Sequence, residues 1–213
     1  MVPREVPSLR ITKVIFRDGI FYAERVYIMN KEIKVGVGGM DNEHSFSIVI
    51  PSAINRNYAR TVSEWTTNSG VMLPKSTGEI ISFFEKGHSV VIVDGRGNLV
   101  SHAAATFIYQ DGSIELGAMY TAENQRGKGA STKAVLALLN LLKDKYPGRM
   151  IFALANSNSA PLFERLGATK MESTELSDEV WEPCKTCPKN PLLKGVEHAA
   201  FSCCDTPYNL TNI

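Results

Sequence analysis

The chain has 213 residues, 44% of them hydrophobic and 21% charged, which suits one sizeable core with a small appendage and excludes a disordered tail. Lys and Arg number 23 against 22 Asp and Glu, so a formal net charge of +1 draws the protein neither to nucleic acid nor to an anionic membrane. No apolar run approaches the roughly 20 residues that span a bilayer, and the start MVPREVPSLR lacks an apolar signal core, so the expectation is a soluble, cytoplasmic monomer or homodimer.

Residues 8 to 29 carry strand signals around a turn at Arg17-Asp18-Gly19, which predicts a hairpin, and Phe46 to Ile50 predicts a further strand that stops at Pro51. Ser52 to about Thr67 reads as a helix capped by Ser52, with Ile54, Tyr58, Val62 and Trp65 on one face. Ser76 to Lys86 reads as a second helix, closed by Gly87. Three strands follow, His88–Val93, Leu99–Tyr109 and Ser113–Thr121, joined by the turn residues Asp94 to Asn98 and Asp111-Gly112, which makes an antiparallel meander. Val135, Leu138, Leu139 and Leu142 then recur at helical spacing within Ala130–Lys145. After Pro147-Gly148, Met150–Ala155 reads as a buried strand and Ser159–Leu166 as a short helix with Pro161 in its first turn.

The stretch from Thr121 to Ser131 joins a strand directly to the leucine-rich helix. Gly127 and Gly129 allow close backbone approach, the helix N-terminus adds partial positive charge, and Arg126 and Lys128 add full charges, so a phosphate group fits there. The spacing matches neither a Walker loop nor GxGxxG, which argues against nucleoside triphosphates and dinucleotides.

Here the sequence resembles the GNAT superfamily of acetyl-CoA-dependent N-acetyltransferases. The family signature Gln/Arg-x-x-Gly-x-Gly/Ala is met by Arg126-Gly127-Lys128-Gly129-Ala130-Ser131, with Ser in the last place. A second segment, Ile151 to Gly167, resembles the strand, Asn and Leu-Gly-terminated helix that close the coenzyme side. The resemblance implies an α/β (α+β) fold, a mixed, mostly antiparallel twisted sheet flanked by helices. It also implies acetyl-CoA as co-substrate and a primary amine, on a small molecule or a protein, as acceptor.

The family's fourth and fifth strands splay apart, and the pantetheine pairs with the fourth, here Ser113–Thr121. Main-chain groups at Met119, Tyr120 and Thr121 would then face the thioester, and an N–H there would stabilise the oxyanion formed by direct amine attack in a ternary complex. Glu115, in that strand, is the candidate base; His102, Tyr109 and Tyr120 are its rivals, and an exposed strand carboxylate is the plainer reading. Asn156 and Ser159 are the further coenzyme-binding candidates, Asn156 through its side-chain amide or merely as a turn residue. Phe163 stands where many relatives carry a Tyr that protonates the thiolate. That acid is missing, which leaves a non-catalytic acyl-CoA-binding module as the alternative.

All four cysteines, Cys184, Cys187, Cys203 and Cys204, lie in the last 30 residues. Their spacing suits one tetrahedral metal, with zinc as first choice, His198 or Asp205 as substitutes for one of the adjacent pair, and iron–sulfur or free thiols as alternatives. From Glu172 on, seven acidic residues face three lysines, a balance of −4 that disfavours a nucleic-acid backbone. The sequence therefore divides into an N-terminal β-hairpin extension (1–42), an acyl-CoA-binding core (43–172) and a Cys-rich, zinc-knuckle-like segment (173–213).

Overall fold

A computed structural model describes residues 10–17, 20–27, 46–70, 72–186 and 206–213. Strands β1 (Arg10–Arg17) and β2 (Ile20–Tyr27) pair antiparallel, from Arg10 opposite Tyr27 to Arg17 opposite Ile20, and form a two-stranded sheet of their own. The seven-stranded sheet contains β3 (Ser47–Val49), β4 (Ser89–Val93), β5 (Leu99–Ile108), β6 (Ile114–Thr121), β7 (Ile151–Ala155), β8 (Thr169–Lys170) and β9 (Thr206–Asn209). Their order is β3-β4-β5-β6-β7-β9-β8, and every pairing is antiparallel except β6 with β7.

Helix α1 (Arg56–Asn68) and α2 (Thr77–Glu85) cover one face of this sheet, and α3 (Ala130–Lys145) covers the other. Because both faces are covered, β4 is apolar without a break from Val90 to Val93: Val90 and Ile92 pack with α3, while Val91 and Val93 pack with α1 and α2. Val135, Leu138, Leu139 and Leu142 of α3 are all within 1% of full burial, and each buried leucine contributes about 2 kcal/mol of hydrophobic stabilisation. Short helices α4 (Ala160–Arg165) and α5 (Asp178–Trp181) follow.

Helix α2 begins as the sequence pattern predicts, with the Ser76 hydroxyl accepting the Glu79 N–H and the Glu79 carboxylate accepting the Ser76 N–H. Helix α1 does not. Ser52 donates its N–H to Asn55 Oδ1, closing a turn over residues 52–55, so the helix starts at Arg56 and Ile54 is 87% exposed rather than on the buried face.

The described parts of the segment 173–213 pack on the sheet. Strand β9 lies between β7 and β8, with Tyr208 opposite both Ala153 and Lys170. Tyr208 and Leu210 are fully buried in the cluster beneath α3. Residues 173–181 pack on the opposite face, where Leu176, Val180 and Trp181 join Tyr109, Phe152 and Met171 in a third apolar cluster. Among the described residues no helix is long and apolar enough to cross a membrane.

Candidate active site

Strands β6 and β7 are in register at only two positions, Ile114 with Ile151 and Glu115 with Phe152. Beyond them β6 runs on to Thr121 without a strand partner on that side, while β7 is paired along its other edge with β9 from Phe152 to Ala155. The two strands splay, and the edge of β6 from Leu116 onward carries main-chain groups toward the gap. On its other side β6 pairs with β5 but carries one extra residue: Tyr120 is opposite His102 and Gly117 opposite Ala104, which leaves Ala118 and Met119 unpaired in a bulge.

At the end of β6 the chain makes one 3₁₀ turn, Glu123–Gln125, and enters α3 through Gly127 and Gly129. Their φ values of +78° and +79° are the left-handed conformation that favours glycine, and a Cβ built on either would meet nothing within 4 Å. Gly127, Lys128 and Gly129 are exposed. Among the described residues, the N–H groups of Gly127, Lys128, Gly129 and Ser131 donate to no partner. The first turn of α3 has no acidic residue to offset the helix dipole, whereas Lys143 and Lys145 complement it at the other end. Lys128 Nζ lies 3.2 Å from Gln125 Oε1, and Arg126 Nε 3.3 Å from the Thr121 carbonyl. Ala130 is buried against the core and anchors the turn.

Across the gap, Asn156 follows β7. Its Oδ1 accepts the N–H groups of Asn158 at 2.9 Å and Ser159 at 3.2 Å, which shapes the turn into α4. Its Nδ2 amide has no partner among the described residues, so the turn role leaves a donor free. Ser159 is half-buried at the start of α4. Phe163 is fully buried against Tyr208, with ring centroids 6.0 Å apart.

On the α1–α2 side, Tyr109 donates to Glu115 Oε2 at 2.5 Å. Burial and the neighbouring Glu115 carboxylate push the Tyr109 phenol well above its ordinary range, so it stays protonated. Met119 packs its side chain on the α3 cluster. Tyr120 stacks on Trp65 with centroids 4.9 Å apart, and the Arg126 guanidinium sits 5.5 Å from the Tyr120 centroid on the same ring. This Trp65–Tyr120–Arg126 assembly is not legible in the sequence, where Trp65 is only one residue of a helix face. Thr121 shares a 2.8 Å hydroxyl contact with Ser101.

His102, a rival base in the sequence reading, is fully buried with both ring nitrogens engaged, and burial lowers its pKa to about 4. It is a neutral core residue. Cys187, Cys203 and Cys204 lie outside the described residues, as does the side chain of Cys184. No group of three or more His, Cys, Asp or Glu side chains suited to a metal occurs among the described residues.

The family model for the acetyltransferase (GNAT) family matches residues 58–168, from α1 to the end of α4. The chain belongs to the acetyltransferase (GNAT) family. No curated protein matches its sequence at a significant level. Among solved structures, this chain is similar to N-acetylglutamate synthase from Neisseria gonorrhoeae, complexed with coenzyme A and N-acetyl-glutamate. The TM-score is 0.59 at 14% identity, over 77% of this chain and 34% of that one, so the chain spans about a third of that enzyme's length. Diaminobutyrate acetyltransferase from Paenibacillus lautus, with L-2,4-diaminobutyric acid and coenzyme A, gives 0.52 at 14% identity over 78% and 94% of the two chains. The Salmonella typhimurium protein yncA, solved with acetyl-CoA, gives 0.52 at 14% identity over 77% and 91%. At this identity these are likenesses of fold.

Proposed function

We propose that the acetyltransferase moves an acetyl group from acetyl-CoA to a primary amine by direct attack in a ternary complex, at the gap between β6 and β7. The N–H groups of Gly127, Lys128, Gly129 and Ser131 receive the diphosphate, with Arg126 and Lys128 adding charge and Ala130 fixing the turn. The pantetheine lies along the free edge of β6 and bonds the Asn156 amide, and Ser159 lies beside it. Main-chain groups of Met119, Tyr120 and Thr121 face the thioester, and Glu115 takes the proton from the ammonium form of the acceptor. The observation that carries this reading is the run of unbonded N–H groups at the start of α3, set beside the splay. The left-handed glycines with open space above them fit a diphosphate, since any side chain there would occupy the ligand's place.

The test is acetyl-CoA with a panel of amines, followed by thiol release. Two structural neighbours were solved with N-acetyl-glutamate and L-2,4-diaminobutyric acid, so amino acids head the panel. Release with at least one amine is expected. Acetyl-CoA binding without release on any amine would favour the non-catalytic module, which the absence of a hydroxyl at buried Phe163 supports. Dependence on acetyl-CoA favours a cytoplasmic location, and the near-neutral charge favours a protein without nucleic-acid or membrane partners, as monomer or homodimer.

The cysteines Cys184, Cys187, Cys203 and Cys204 are proposed to hold one structural zinc. Their spacing supports this, as does the sheet: Lys170 of β8 and Tyr208 of β9 are paired, so the span carrying all four cysteines starts and ends at one place. About one zinc per chain by elemental analysis, and a lower melting temperature with chelator, are expected. A metal-free protein with an unchanged melt would contradict it.

A further inference from the structure

The buried pair His102 and Ser89 plays no part in the acyl-transfer chemistry described above, yet it meets the backbone at the bulge of β6. His102, on β5, is 1% exposed, and Ser89, on β4, is fully buried. His102 Nδ1 lies 2.7 Å from the carbonyl oxygen of Ala118, and His102 Nε2 lies 2.7 Å from Ser89 Oγ. A carbonyl only accepts, so Nδ1 bears the hydrogen; in the neutral ring Nε2 then accepts from the Ser89 hydroxyl.

Ala118 is the one non-glycine with positive φ among the described residues, at +47°. With Met119 it is unpaired on β5, so the ladder supplies its carbonyl with no in-register partner. The imidazole supplies the missing donor from the side. The Ala118 carbonyl and the Met119 N–H belong to one planar trans peptide, in which they point in opposite directions. Holding that carbonyl on the His102 ring therefore fixes the Met119 N–H to point away from it.

We infer that His102, oriented by Ser89, is a positioning residue that locks the Ala118–Met119 peptide so that the Met119 N–H meets the thioester carbonyl of acetyl-CoA. This rests on the acyl-transfer site proposed above. No proton passes through His102: both nitrogens are occupied and the ring stays neutral. Its contribution is directional, since an oxyanion donor acts only when aimed at the reacting oxygen.

The experiment compares kcat, with an amine that gives thiol release in the panel, and the calorimetric Kd for coenzyme A. The variants are His102→Leu, His102→Asn and Ser89→Ala. His102→Leu is expected to lower kcat about 100-fold, the size of a misaligned reacting geometry, and to leave the coenzyme A Kd within about threefold. His102→Asn, whose amide N–H replaces Nδ1–H, is expected to retain at least about a third of kcat, and Ser89→Ala to lose roughly fivefold. Wild-type kcat in His102→Leu would overturn the inference. So would parallel loss of kcat and coenzyme A affinity in all three variants, which marks a general structural role. Should His102→Leu fail to fold, Asn no better than Ser89→Ala, or Ser89→Ala at full kcat, would overturn it equally. A wild type that binds no coenzyme A, or releases no thiol, would instead defeat the underlying site reading.

Discussion

Glu115 of β6 lies in register with Phe152 of β7, and no later residue of β6 is paired on that side. The carboxylate thus belongs to the last position before the strands part, on the strand face that also carries Tyr109. In the reading proposed above, Glu115 takes the proton of an amine that approaches the gap from the α1–α2 face.

Replacing Glu115 by Gln is expected to lower kcat about 100-fold or more while leaving coenzyme A affinity unchanged, as removal of a general base does. Tyr109→Phe removes a hydrogen bond that favours the charged carboxylate. The base then holds its proton more tightly, so the rising limb of the pH–rate profile moves to higher pH. A Tyr109→Phe limb that stays in place, or moves to lower pH, would argue against Glu115 as the base.

The start of α2 gives a pH-dependent prediction. Backbone and hydroxyl hydrogen bonds from Ser76 hold the Glu79 carboxyl below its usual range. A carboxyl lowered in the folded state stabilises the fold above its unfolded pKa, and that contribution is lost as pH falls through the folded value. Glu79→Gln is therefore expected to be less stable than the wild type at pH 7, with the difference closing below about pH 4. Ser76→Ala is expected to cost about 1 kcal/mol in urea melts.

The return of the C-terminus to the sheet is tested by Leu210→Ala. Leu210 is fully buried beneath α3, so its truncation is expected to cost about 2–5 kcal/mol of unfolding free energy. A loss under about 0.5 kcal/mol would place Leu210 outside the core.

What the sequence reveals follows from periodicity. Helix α3 matches its expected span because Val135, Leu138, Leu139 and Leu142 repeat along one face and Pro147-Gly148 ends the pattern. The meander is legible from its turn dipeptides, and the turn before α3 from two glycines beside two cations. Strand β9 is not legible: Thr206-Pro207-Tyr208-Asn209 shows no alternation long enough to read, and its place is set by partners β7 and β8. Nor is the bulge, because alanine carries no signal of positive φ. The burial of Phe163 depends on Tyr208, 45 residues away in the chain. Local pattern reaches contacts of helical or hairpin range and stops there.

The central claim is that the turn entering α3 holds the diphosphate of coenzyme A, and calorimetric titration of coenzyme A into the wild type and Gly129→Val tests it most directly. A Cβ added at residue 129, where φ is +79°, meets no other atom of the chain within 4 Å, so the fold is expected to survive Gly129→Val with a strain of about 1–2 kcal/mol. Saturable binding to the wild type, weakened about tenfold or more in Gly129→Val, is the predicted result. No heat with the wild type, or equal affinity in the two proteins, would contradict it.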